Sequence, residues 1–126
     1  MQAYLLVGAG GAIGAMTRYG LSVAIGRWMP TAFPLPILAI NLLGSLAMGL
    51  LVGALARFTP SWQGDARLFL AVGVLGGFTT FSSFSLDAVS LIERGEIVQA
   101  AAYVGLSVLL AIVALFGGLA VMRITA

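Results

Sequence analysis

Most of the polar chemistry of this chain is gathered between Gly73 and Ser85, which reads Gly-Val-Leu-Gly-Gly-Phe-Thr-Thr-Phe-Ser-Ser-Phe-Ser in the middle of an apolar run. Phe78, Phe81 and Phe84 recur every three residues, so on a helix they fall along one slowly drifting stripe. A phenyl ring carries partial positive charge at its edge, and rings turned edge-on could contact a small anion without trapping it, as conduction requires; the same stripe also serves plain packing. The glycines and hydroxyls of Gly76 to Thr80 break the pattern of a lipid-facing helix, and such a break at membrane depth is tolerated only where protein or water surrounds it. If the helix unwinds there, its freed backbone carbonyls suit a cation. Two copies of the break meeting across a two-fold axis would make an oxygen cage fit for Na⁺.

Further polar side chains stand in otherwise apolar surroundings. The amide of Asn41 offers two N–H donors, which suit an anion or a bond to a neighbouring helix. Arg18, followed by Tyr19, places a guanidinium where insertion costs about 3 kcal/mol unless it reaches the interface, water or a partner. It either snorkels or draws an anion into an aqueous vestibule. Tyr103 and Ser107 are four apart and share a helix face; with Asn41 and the phenylalanines they could form a polar rail, or their hydroxyls could bond to backbone carbonyls. Asp87 is the only acid well within a span, and it is expected to pair with an arginine or to accept hydrogen bonds.

The elements that must position these groups are membrane helices. The 126 residues are 61% hydrophobic and 8% charged, with a mean hydropathy of +1.13, whereas a soluble domain has about a quarter of its residues charged. A span needs roughly 20 apolar residues, and four segments fit: about Ala3 to Ile25, Leu35 to Ala56, Leu68 to Ile92, and Ile97 to Met122. Met1 to Val7 runs directly into the first, so no removable leader is expected. Pro30 and Pro34 bound the first link and Pro60 lies in the second. Trp28 and Trp62 suit the headgroup level. Glu93-Arg-Gly-Glu96 is a tight hairpin with Gly95 as its C-cap. Gly10 and Gly14, Gly49 and Gly53, and Gly73 and Gly77 form small-xxx-small rows that let helices approach closely.

The composition excludes several functions. With no cysteine and no histidine, there are no disulfides, thiolate nucleophiles or imidazole acid-base groups, which disfavours an enzyme. The net charge of +2 comes from scattered arginines, too few for a nucleic-acid surface. Arg57, Arg67 and Arg123 fall on the face shared with the termini and Arg27 and Arg94 on the other, almost no bias for a positive-inside rule. Either the insertion machinery fixes one topology, or the chain inserts both ways and assembles as an antiparallel dimer. Four spans enclose little of a pathway, which favours an oligomer. A four-span, dual-topology exporter of cationic drugs has similar size, but it needs an embedded carboxylate for proton exchange. The first two segments have none, leaving Asp87. A purely structural subunit would not need the hydroxyl-rich break.

The chain resembles the Fluc (CrcB) family of fluoride channels. The resemblance is carried by Gly11-Ala-Ile-Gly-Ala-Met-Thr-Arg-Tyr19, by Asn41-Leu-Leu-Gly44 and above all by Gly76-Gly-Phe-Thr-Thr-Phe-Ser-Ser-Phe-Ser85, and it covers essentially the whole chain. It implies an all-α membrane protein of four transmembrane helices, broken in the third, forming an antiparallel dual-topology homodimer in the bacterial inner membrane. It implies two fluoride pores and a structural, non-transported Na⁺ at the dimer interface, held by the backbone carbonyls of Gly76 and Thr79 from each subunit. Phe81 and Phe84 would line the fluoride path by their ring edges, with Asn41 donating from its amide. Tyr103 and Ser107 would continue the rail, and Arg18 would stand near the aqueous entrance. Ala111 replaces a hydroxyl that some relatives carry one turn after the position of Ser107, which bears on the inner end of the rail. The implied activity is passive: fluoride that entered as HF and dissociated leaves down its electrochemical gradient, giving resistance.

Overall fold

The prolines of the links set the ends of the long helices. In the computed structural model, which describes residues 1–125, helix α1 (Gln2–Trp28) stops just before Pro30 and α2 (Leu35–Phe58) begins on an N-cap at Pro34. Pro36 occupies the first turn of α2, where its missing N–H has no intrahelical partner to lose. Helix α2 ends on Thr59, held in the left-handed region at φ 39° with its N–H on the Leu55 carbonyl. Pro60 then prevents the helix from resuming.

The third span is composite. It runs through α3 (Gln63–Ala66), a π-helical stretch (Arg67–Leu75), α4 (Gly76–Phe78) and, after two extended residues, α5 (Phe81–Glu93). The break at the threonines matches the sequence expectation. The π-helical stretch was not anticipated; such stretches are rare and occur often beside functional sites. Helix α5 ends at the expected glycine: Gly95 has φ +78°, its N–H bonds to the Ile92 carbonyl, and the Glu96 N–H reaches back to Leu91. This crossed pair of bonds is a Schellman closure, and it turns the chain into α6 (Ile97–Ile124).

Three of these helical segments are long and apolar enough to cross a membrane: Leu35–Phe58, Gln63–Glu93 and Ile97–Ile124. Helix α1 has 27 residues, about 40 Å at helical rise, but its six glycines and Arg18 hold its apolarity below that of the others.

Two glycine seams join the helices in parallel pairs. A Cβ on Gly10 would run into the Phe69 carbonyl and stand 3.0 Å from Gly73 Cα, and one on Gly77 would stand 2.6 Å from the Gly11 carbonyl oxygen. Helix α1 thus lies backbone to backbone on the third span. In the second pair, Gly49 meets Leu115 and Gly53 meets Met122, while a Cβ on Gly118 would stand 2.6 Å from the Leu46 carbonyl oxygen. The row formed by Gly118 in the fourth segment was not read from the sequence. The buried side-chain cluster, Leu38, Phe84, Ala88, Leu91, Ala100 and Tyr103, sits where the start of α2 meets α5 and the start of α6. It holds the ring-bearing half of the third span in place.

Candidate functional site

Thr79 (φ −81°, ψ 156°) and Thr80 (φ −151°, ψ 120°) are extended between α4 and α5, and one side chain holds them so. The Thr80 N–H donates to Asn41 Oδ1 at 2.9 Å, and Asn41 Nδ2 donates to the Thr80 carbonyl at 3.2 Å. The amide thereby acts as a short mock strand pairing both backbone groups of Thr80, which would otherwise be left without partners at membrane depth. The Thr80 hydroxyl accepts from the Ser83 N–H at 3.2 Å, an N-cap that restarts the helix as α5. The Thr79 hydroxyl donates back to the Leu75 carbonyl at 2.9 Å. Gly44 makes room for this arrangement: a Cβ there would collide with the Thr79 methyl and stand 3.3 Å from the Phe78 ring.

These bonds redirect donors from two particular carbonyls. In an unbroken helix the Thr80 N–H would serve the Gly76 carbonyl and the Ser83 N–H the Thr79 carbonyl. The first goes to Asn41 and the second to the Thr80 hydroxyl instead.

Beside the break, α2, α5 and α6 enclose an open groove of about 390 Å³. Asn41, Ser45, Thr79, Thr80 and Ser107 supply its polar wall, Phe81 and Phe84 its rings, and Met48, Ile112 and Leu115 its apolar end. Phe84 is buried and Phe81 is 78% exposed; their ring centroids are 5.5 Å apart at 44°. The Ser107 hydroxyl is buried and finds no hydrogen-bond partner among the described residues, which is costly for a polar group.

Asn41, Phe81, Phe84 and Ser107 therefore come together from three elements. Tyr103 lies behind them. Fully buried, it packs at 5.3 Å on Phe84 and edge-on at 5.7 Å on Phe33, and its hydroxyl donates to Asp87 Oδ2 at 3.1 Å rather than into the groove. Asp87, offered either an arginine or a hydrogen bond by the sequence, takes the hydrogen bond. It lines a second cavity of about 220 Å³ with Thr31, Ser90 and Arg94, while Arg94 itself bonds to Glu96 at 3.4 Å. Arg18 is half-buried on α1 and is not among the groove's lining residues. The stripe expected of three phenylalanines is split: Phe78 belongs to α4 and packs by Gly44, so only Phe81 and Phe84 share the second helix. Sequence reasoning placed Thr80 in the break without its capping role, and it missed Ser45. The Thr80-x-x-Ser83 spacing of an N-cap was the available signal for the first; nothing local marked the second.

No group of three His, Cys, Asp or Glu that could hold a metal occurs among the described residues. Residues 5–119 match the family described as CrcB-like protein, Camphor Resistance (CrcB). A protein of Rhodospirillum centenum named fluoride-specific ion channel FluC is 52% identical over 125 residues, covering 98% of this chain and 97% of that one. Its namesake in Chelativorans sp. is 56% identical over 119 residues, covering 94% of each, and that of Phenylobacterium zucineum is 52% identical over 123 residues, covering 98% and 97%. With its long apolar helices this is a multi-pass bacterial membrane protein, and it belongs to the CrcB family.

Proposed function

We propose that the protein is a fluoride-selective channel that lets fluoride leave the bacterial cytoplasm passively, giving fluoride resistance. The observation that carries this reading is the groove beside the clasped break. A ring pair, an amide with one N–H to spare and Ser107, whose buried hydroxyl has no partner among the described residues, all line one groove. Fluoride is small and a strong acceptor, so short bonds from these donors and the ring edges can replace part of its water shell. A larger halide, a weaker acceptor, gains less from the same bonds. The names carried by the relatives agree with this choice of ion.

The working unit in this reading is an antiparallel homodimer of four-span chains inserted in both orientations in the inner membrane, α1 being the fourth span. A second copy covers the open side of the groove and the exposed Phe81 ring. The two breaks then meet, and the Gly76 and Thr79 carbonyls of each chain, released from their helical donors, are fit to hold a structural Na⁺. That ion supplies a fixed positive charge to two backbone breaks that otherwise present oxygens to one another. Tyr103, bonded to Asp87, holds Phe84 from behind, and Arg18 stands toward the aqueous entrance.

The test is efflux from liposomes containing the purified protein, followed with a fluoride electrode. Rapid, electrogenic, fluoride-selective efflux is expected; chloride leaving at a similar rate would overturn the reading. The drug-exporter alternative needs a carboxylate free to exchange protons, and the one embedded acid is engaged by Tyr103.

A further inference from the structure

Among the polar side chains of the groove, Thr79 and Thr80 spend their hydroxyls on the break, and Ser45 is used by neither the break, the rail nor the ring pair. We infer that the Ser45 hydroxyl is the next hydrogen-bond donor for fluoride after Asn41 and Ser107, so that the donor line crosses from α6 to α2 where α6 carries Ala111. The inference rests on the channel reading and extends it to a residue of its own.

The register of the two helices carries the argument. Helices α2 and α6 run parallel, with Gly49 against Leu115 and Gly53 against Leu119 and Met122. Arg57 extends the same register to the helix ends, donating to the Thr125 hydroxyl at 2.9 Å. One turn back from Gly49 and Leu115, Ser45 is level with Ala111; two turns back, Asn41 is level with Ser107. All four residues line the same groove. At the outer level both helices offer a donor. At the next level, about 6 Å further along, α6 offers a methyl and α2 a hydroxyl. Beyond that the wall is Met48, Ile112 and Leu115, with no donor at all.

The state of the hydroxyl agrees. Thr17, Thr79, Ser85 and Thr125 each donate to the carbonyl four residues before them, the usual resting place of a hydroxyl on a helix. Ser45 makes no such bond and is only half-buried, so its proton is free to turn into the groove. An ion released by Asn41 and Ser107 meets it within one helical turn, before the apolar end.

The experiment compares fluoride efflux from liposomes for the wild type, Ser45→Ala, and the double variant Ser45→Ala with Ala111→Ser, each checked for the same elution profile in detergent. Losing one hydrogen bond to an ion should slow Ser45→Ala about tenfold. The double variant restores a hydroxyl at the same level from the opposite wall and should recover most of the flux. Wild-type flux in Ser45→Ala would overturn the inference and leave the channel reading standing. A double variant as slow as Ser45→Ala would also overturn it, since position rather than the hydroxyl would then be what counts. Absence of fluoride flux from the wild type would end both.

Discussion

At the scale of the residue, the same side chain shapes the site and serves it. Asn41 spends its oxygen and one N–H on Thr80 and keeps the other N–H for the groove. In Asn41→Ala the half-buried Thr80 N–H and carbonyl lose their partners, which costs about 1–3 kcal/mol. The expected outcome is a lower midpoint of thermal unfolding in detergent together with loss of fluoride flux; an unchanged midpoint would mean that the break does not need its clasp. Phe81 makes the opposite case. It is 78% exposed on the single chain, so its truncation removes little packing within that chain. Phe81→Ile should slow fluoride efflux about tenfold or more, as expected from loss of a ring-edge contact; efflux at the wild-type rate would reduce the ring to packing. Residue type alone could nominate Asn41 and Phe81 for an anion. It could not reveal the Thr80 clasp, because the two residues are 39 apart in sequence and no local pattern links them.

At the scale of the element, the segments and the break were legible because proline, glycine and hydroxyl residues act on the backbone where they stand. Pro34, Pro60 and Gly95 end or begin helices by their own stereochemistry, and Thr80 restarts one by its own hydroxyl. The π-helical stretch Arg67–Leu75 was not legible. Its composition is that of any apolar helix, and the α1 backbone that packs along it at the Gly10–Gly73 contact is far away in sequence. The seam on α6 was hidden for a similar reason: Gly117 and Gly118 are adjacent, and only the partner helix decides which of them must be glycine. A Cβ on Gly118 would press 2.6 Å from both the Leu46 oxygen and the Leu50 nitrogen, whereas one on Gly117 meets nothing within 4 Å. Gly118→Ala is therefore expected to force α2 and α6 apart and destabilise by about 1–3 kcal/mol, as overpacking does. Gly117→Ala should be neutral or gain about 0.5–1 kcal/mol from the stiffer helix. Unfolding midpoints of the two variants, measured side by side, check this; equal midpoints would refute the seam.

At the scale of the whole molecule, one chain leaves both of its proposed ion sites incomplete: the groove is open on one side, and the redirected carbonyls of Gly76 and Thr79 come from one chain alone. The arginines divide almost evenly between the two ends, so nothing in the charge opposes insertion in either sense. A chain without cysteine allows a direct test. Ser61→Cys places a single thiol in the exposed link after α2, and an impermeant thiol reagent applied to sealed cells should reach about half of the copies if both orientations are used. Labelling of all or none would assign one topology. The cation follows from the same incompleteness. Carbonyls of a broken membrane helix coordinate Na⁺ as members of a larger set of oxygens, and in the proposed dimer two from one chain are joined by two from the second. Binding of Na⁺ and pairing of chains are then one equilibrium, and a ligand that favours the paired state stabilises it by mass action. Replacing Na⁺ with a large organic cation should therefore lower fluoride efflux and shift the protein from dimer toward monomer in detergent, with both effects reversed when Na⁺ is returned. Flux and assembly indifferent to Na⁺ would show that the freed carbonyls at the break serve the backbone alone.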